Sequence, residues 1–197
     1  MKRGICVAVS LLCVAMLGGC ASKKMYLDVP LAWTPTGNAS ALSVLHEAAV
    51  ASPQYKITAF TDARKNPQEI AKNIEDKKAR IVSTRDNVAD WCRDRFKEAM
   101  GRHGFKVVDD NASVVIKGEV LQFYVVEDSV YKANVRIKLT AENAAGKALW
   151  EGEMSGEATR FGRSYSMENY HETLSDAYLG AVDDFINNQM AKLKPKK

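Results

Sequence analysis

Three histidines occur in 197 residues, His46, His103 and His171. None has metal-binding spacing: Glu172 follows His171, but the second histidine of a His-Glu-x-x-His helix is missing. Cysteine is as sparse and more uneven. Cys6, Cys13 and Cys20 crowd the start of the chain, and Cys92 is the only one beyond them. One thiol cannot close an intrachain disulfide. Cys92 adjoins Trp91 on an expected helix with no histidine near it in sequence, the setting of a buried, inert thiol. No charge sign dominates, with 28 basic against 24 acidic residues and a formal +4. That excludes an electrostatic case for nucleic acid. The Gly-x-Ser-x-Gly elbow, the phosphate loop and the dinucleotide fingerprint are all missing. Long apolar runs are missing too, apart from Ile5 to Leu17, whose 13 residues fall short of the roughly 20 that span a bilayer.

That one run is the most informative stretch. Lys2 and Arg3 precede it, Leu17-Gly18-Gly19-Cys20 closes it, and the polar Ala21-Ser22-Lys23-Lys24 follows. A basic start, a short apolar stretch and small residues at its end make an export signal. The leucine, the small pair and the cysteine resemble the bacterial lipoprotein signal, the lipobox. An ordinary signal peptide or an uncleaved anchor is the alternative. The resemblance implies cleavage between Gly19 and Cys20, then a diacylglyceryl group on the Cys20 sulfur and an acyl chain on its nitrogen. Two or more acyl chains hold a protein stably on a membrane, where one does not. No other cofactor and no metal is expected.

The chain then divides into a signal over 1–19, a lipidated tether over 20–52 and a single domain over 53–197. Pro30, Pro35, Gly37, Asn38 and Pro53 interrupt any long element in the tether, with a short helix expected over Ala39 to Ala51. About 30 flexible residues would reach roughly 30 Å. Tyr26, Leu27, Leu31 and Trp33 point the other way, since apolar residues in a tether dock on the domain or on lipid.

Within the domain, Gln54 to Thr61 alternates as a first strand. A polar connection, Asp62 to Lys78, leads to a short strand at Ala79 to Ser83. Asp62 and Arg64 are expected to anchor this connection by an internal ion pair, or to bind a ligand. A helix follows from about Asn87 to Arg102, carrying Val88, Trp91, Cys92, Phe96, Ala99 and Met100 on one stripe and stopping at Gly104. The main sheet begins at Phe105 to Val108. Ser113 to Glu127 and Val130 to Glu142 are long strands around a turn at Asp128-Ser129. In the second, Tyr131, Ala133, Val135, Ile137, Leu139 and Ala141 alternate with polar residues, as in a sheet covered on one face. Lys147 to Thr159 repeats this with Ala148, Trp150, Met154 and Ala158 inward. A four-residue loop, 143–146, would set Glu142 opposite Lys147, Lys138 opposite Glu151, Arg136 opposite Glu153 and Lys132 opposite Glu157, each pair adding about 0.2–1 kcal/mol. Ser166 to about Leu193 is a closing helix. Together these predict an α+β domain, an antiparallel β-sheet with two helices packed on one face.

One strand breaks the pattern. With Val114, Ile116, Val120 and Tyr124 facing the helices, Leu121, Phe123 and Val125 point outward, and an exposed apolar cluster marks a partner surface. A β-bulge that switches the facing, or cover from the 26–33 segment, accounts for the same residues.

The order of features resembles the YajG-type lipoproteins of Gram-negative bacteria. The likeness rests on Leu17-Gly18-Gly19-Cys20, on Asp62-Ala63-Arg64 after a first strand, and on Gly104-Phe105-Lys106-Val107 after a helix. Asn143-Ala144-Ala145-Gly146-Lys147 between long strands and the closing helix complete it. It supplies no catalytic residues and implies an outer-membrane lipoprotein facing the periplasm; Ala21, where inner-membrane retention resembles a rule requiring aspartate, agrees. The reading that follows is a non-enzymatic lipoprotein that binds or supports an envelope partner of unknown identity. An auxiliary lipoprotein of a lipid or ABC-type transport system is the alternative, and an envelope hydrolase with a spatially paired carboxylate set is the third.

Overall fold

The computed structural model describes residues 27–37, 53–75 and 79–190. The expected signal segment, Gly19, Cys20 and the expected helix over Ala39 to Ala51 lie outside them. The elements are β1 (Leu27–Asp28), β2 (Tyr55–Asp62), β3 (Glu69–Asn73), β4 (Arg80–Ser83), α1 (Val88–Arg102), β5 (Val114–Glu127), β6 (Tyr131–Asn143), β7 (Ala148–Arg160) and α2 (Met167–Asp184). A π-helical turn, Phe185–Gln189, extends α2.

The fold is α+β, and its open seven-stranded sheet runs β1-β4-β3-β5-β6-β7, with β2 also paired to β5. It is mixed where the alternation suggested an antiparallel sheet. The pairs β5–β6, β6–β7 and β3–β4 are antiparallel, whereas β1–β4, β2–β5 and β3–β5 are parallel. The helical connection α1 lies between β2 and β5, as a parallel pair requires a crossover. At 14 residues β5 outlasts both neighbours on that side, so β2 covers its first half and β3 its last three residues.

Side-chain alternation places the core. All six inward residues expected on β6 are buried, and α1 and α2 close over that face with Cys92, Phe96, Met100, Tyr170, Leu174, Tyr178 and Phe185. Trp91 joins the layers, its ring centroid 5.4 Å from Phe123 and 5.3 Å from Tyr178. Asn87 caps α1 by accepting from the Asp90 N–H at 3.1 Å, and Ser166 caps α2 in the same way. Burial pushes the Cys92 thiol well above its ordinary range; the Arg64 charge opposes this to a lesser degree and the Asp62 charge adds to it. It is an inert core thiol.

Several sequence expectations need correction. Glu69–Asn73, read as polar connection, is a strand with Ile70, Ala71 and Asn73 buried. Too short for visible periodicity, it owes its burial to β4 and β5. Phe105 to Val108 forms only a bridge between Val107 and Tyr55. The β6–β7 register sits two residues from the charge-matched one, with Lys138 opposite Glu153 and Arg136 opposite Ser155. The turn is the reason. Asn143 Oδ1 accepts from the N–H groups of Ala145 and Lys147, and Gly146 adopts φ +77°, making a three-residue loop. The register slips once more between Ala141 and Glu142, and Ala148 turns out to solvent. Two of the expected ion pairs form diagonally, Lys138–Glu151 at 3.0 Å and Arg136–Glu153 at 3.3 Å, while Glu142 pairs with Lys117 at 2.7 Å.

Part of the expected tether is packed structure. Leu27 and Asp28 pair with Val82 and Ser83, and Val29 is fully buried. The Trp33 ring lies edge-on to Trp91 at 5.8 Å and to Tyr178 at 6.0 Å. Asp176 accepts from the Thr36 N–H at 2.6 Å, and the His171 Nε2 lies 2.7 Å from the Pro30 carbonyl.

Candidate functional site

The outward cluster read from β5 does not exist as such. Register slips between Val120 and Gln122, so Leu121 bulges out of the ladder. One extra residue exchanges the faces of everything after it. Phe123 and Val125 are therefore fully buried core residues, while Leu121 stays half-buried and Tyr124 turns outward. The bulge was the correct alternative of those open in the sequence.

Opposite the bulge, β2 ends and the chain leaves the sheet before β3 rejoins it. Arg64 fills this gap. Its side chain is 7% exposed, and it grips the Asp62 carboxylate with Nε at 2.9 Å and an Nη at 2.7 Å. It also donates to the carbonyls of Phe123 at 3.1 Å and Glu69 at 2.9 Å, and to that of Pro67. A bidentate pair leaves the remaining guanidinium protons free for backbone acceptors, so the cation does the work of a missing strand. A shallow hollow of about 250 Å³ lies outside it, lined in part by Arg64, Glu69, Leu121 and Tyr124. The sequence expected this ion pair, but its backbone acceptors are visible only in three dimensions.

A buried polar cluster lies at one end of the sheet, where β3, β5 and β6 meet the start of α2. Glu127 is fully buried. It accepts from the Tyr165 N–H at 2.8 Å and from the Tyr170 hydroxyl. Burial pushes its carboxyl pKa up, but hydrogen bonds from Tyr170, Asn73, the Tyr165 backbone and Ser164 together outweigh that and leave it below the ordinary carboxylate value. Burial is also the main reason the Tyr131 hydroxyl is pushed up to about 12 and that of Tyr170 further still. A carboxylate kept ionised beside phenols kept protonated is an acceptor–donor clamp, with nothing poised to transfer a proton at neutral pH.

The clamp holds residues 161–166. The Tyr131 hydroxyl donates to the Arg163 carbonyl and accepts from the Ser166 N–H at 3.1 Å. Asn169 Nδ2 donates to the same carbonyl at 3.2 Å, and Asn73 Nδ2 to Ser164 Oγ at 3.2 Å. Tyr165 takes φ +56°, unusual for a side-chain-bearing residue, with the Arg80 guanidinium 5.0 Å above its ring. At Gly162 a Cβ would lie 1.9 Å from Asn169 Nδ2, so a side chain there would displace the amide that bonds the Arg163 carbonyl. Sequence reasoning missed this cluster because Glu127 reads as the polar end of a strand; its partners are 38 and 43 residues away.

Of the other two histidines, His103 is accounted for within the fold. His103, at the end of α1, is buried with Nε2 3.5 Å from Asp183 Oδ1, and burial lowers its pKa against the opposing pull of that carboxylate. His46 is outside the described residues. Among the described residues no group of three His, Cys, Asp or Glu is placed to hold a metal ion, and no helix is long and apolar enough to cross a membrane.

Residues 49–191 match the model of a family described as "Uncharacterized lipoprotein". No curated protein matches the sequence. Among solved structures, protein XCC0632 from Xanthomonas campestris, of family DUF330, is similar with TM-score 0.53 and 11% identity, covering 84% of this chain and 92% of that one. This likeness concerns the fold. Lipoprotein GNA1162 from Neisseria meningitidis is similar at TM-score 0.42 and 10% identity, over 71% of this chain and 98% of its own. A minor lipoprotein from Acinetobacter baumannii is similar at TM-score 0.38 and 7% identity, over 70% and 94%.

Proposed function

From the premise that this chain belongs to that lipoprotein family, we propose that it is anchored through acyl chains on Cys20 to the periplasmic face of the outer membrane. There it serves a non-enzymatic role, binding or supporting an envelope partner. The observation that carries this is Leu17-Gly18-Gly19-Cys20 at the close of a short apolar run in a member of a lipoprotein family. Ala21 favours the outer membrane by the sorting rule that the resemblance supplies. The Glu127 cluster supports a non-catalytic reading, because its carboxylate and phenols are committed to one another and to a loop.

The test is lipid labelling and fractionation in a Gram-negative host. The wild type is expected to incorporate labelled palmitate and to sediment with outer membranes. Cys20→Ala is expected to lose the label and the membrane association, and Ala21→Asp to shift the protein toward the inner membrane. A membrane-bound, unlabelled Cys20→Ala protein would count against the anchor; unchanged fractionation of Ala21→Asp would count against the sorting.

A further inference from the structure

We infer that the end of the domain bearing Ile74, Phe161 and Met167 is a lipid-contacting surface that rests on the bilayer to which Cys20 is anchored. This inference rests on the lipid-anchor reading above and adds to it which end of the domain meets the membrane and through which side chains.

Three large hydrophobic residues are exposed among those described, Ile74 at 41%, Phe161 at 81% and Met167 at 41%. They come from separate parts of the chain, yet the sheet register brings them to one end. The Ile74 N–H donates to the Glu127 carbonyl at 2.8 Å. Glu127 pairs with Tyr131, and Tyr131 with Arg160, the residue before Phe161. Met167 follows Ser166, whose N–H bonds the Tyr131 hydroxyl. All three thus stand at the margin of the row Asn73–Glu127–Tyr131–Arg160.

The anchor leads to the same end. β1 runs parallel to β4, with Leu27 opposite Val82 and Asp28 opposite Ser83, so β1 begins at its end nearer Arg80 of β4. Arg80 pairs with Asn73, and Asn73 with Glu127. Six residues separate Cys20 from Leu27, and a chain of that length spans at most about 25 Å. From the level of Leu27 to the far turn at 143–147, β6 extends for about 30 Å, so that turn cannot be seated on the bilayer while Cys20 is embedded in it. The broad outer face of β6 and β7 presents Lys132, Arg136, Lys138, Glu151 and Glu153, which favour water. An aromatic ring displayed beside backbone polar groups suits the interfacial region of a membrane.

The display of Phe161 is built. Its loop is held by the buried Glu127 carboxylate and the Tyr131 hydroxyl, and a side chain at Gly162 beside it would displace the Asn169 amide from the Arg163 carbonyl. Isolated exposed apolar residues are ordinary on protein surfaces; three at the anchored end, one on a pinned loop, are not. Among the described residues Arg163 is exposed there, but so are Glu75, Asp128 and Glu168, so the proposed contact is made by the apolar side chains.

The experiment uses the full-length acylated protein reconstituted into phosphatidylethanolamine–phosphatidylglycerol vesicles. An environment-sensitive NBD fluorophore is attached to Phe161→Cys or, at the opposite end, to Ala145→Cys. Cys20 is blocked by lipid and Cys92 is buried, and both new sites are exposed, so labelling is specific and the fold is kept. Flotation of the vesicles reports the anchor, and quenching by nitroxide-labelled lipid reports contact. The expected result is co-flotation of both proteins, with several-fold stronger quenching and a blue-shifted emission at 161 alone. Co-flotation with equal quenching at the two positions, or none at 161, overturns the inference and leaves the anchor standing. Cross-linking of position 161 to a protein in cells, without quenching in vesicles, overturns it in favour of a protein partner. Failure to float removes the anchor, and this inference with it.

Discussion

The guanidinium of Arg64 donates to the carbonyl of Phe123 at 3.1 Å across the gap that β2 and β3 leave beside β5. Phe123 is thus fixed twice, its ring in the core against Trp91 and its backbone by a cation that Asp62 keeps in place. Truncating one member of a nearly buried ion pair strands the other, at about 3–5 kcal/mol. Arg64→Ala is expected to cost close to that in urea unfolding, and Asp62→Asn with Arg64→Ala little more than the single change. Additive losses would mean that the two side chains act separately.

The bulge at Leu121 makes neighbouring positions unequal. Phe123→Ala removes a fully buried ring and is expected to cost about 3–5 kcal/mol. Leu121→Ala, at the half-buried bulge, is expected to cost about 1 kcal/mol or less. Comparing the two urea midpoints checks the assignment. A larger loss at Leu121 would restore the unbulged facing.

Glu127 gives the fold an acid limit. Its folded-state pKa lies below the ordinary 4.5, so the unfolded chain takes up that proton at higher pH than the native protein does. The stabilisation it supplies is whole above about pH 4.5 and fades as pH falls through the folded value. Glu127→Gln is expected to cost about 1–3 kcal/mol at neutral pH, because a buried donor loses its acceptor, and to flatten the acid limb. Urea midpoints of both proteins between neutral and acidic pH report this. Parallel curves would show that other groups set the limit.

Trp33 is the clasp of the docked N-terminal segment. Its loss in Trp33→Ala is expected to speed amide exchange at Val29 and Leu31, whose N–H groups bond Ser83 and Asp86, and to leave β6 protected. Hydrogen-exchange mass spectrometry distinguishes this from a global loss of stability, which would accelerate both regions.

Period-two alternation on β6 and the stripe of α1 were legible because each depends on neighbours within a few residues. For the same reason the sequence by itself determined α1, α2, the long strands and the α+β class. Tertiary structure alone decided the rest: the parallel pairing of β2 and β3 with β5, the bulge that turned Phe123 and Val125 inward, the docking of Trp33, and the loop gathered around Glu127. These depend on contacts between residues tens of positions apart. A one-residue slip there reverses an entire face, and no local pattern records it.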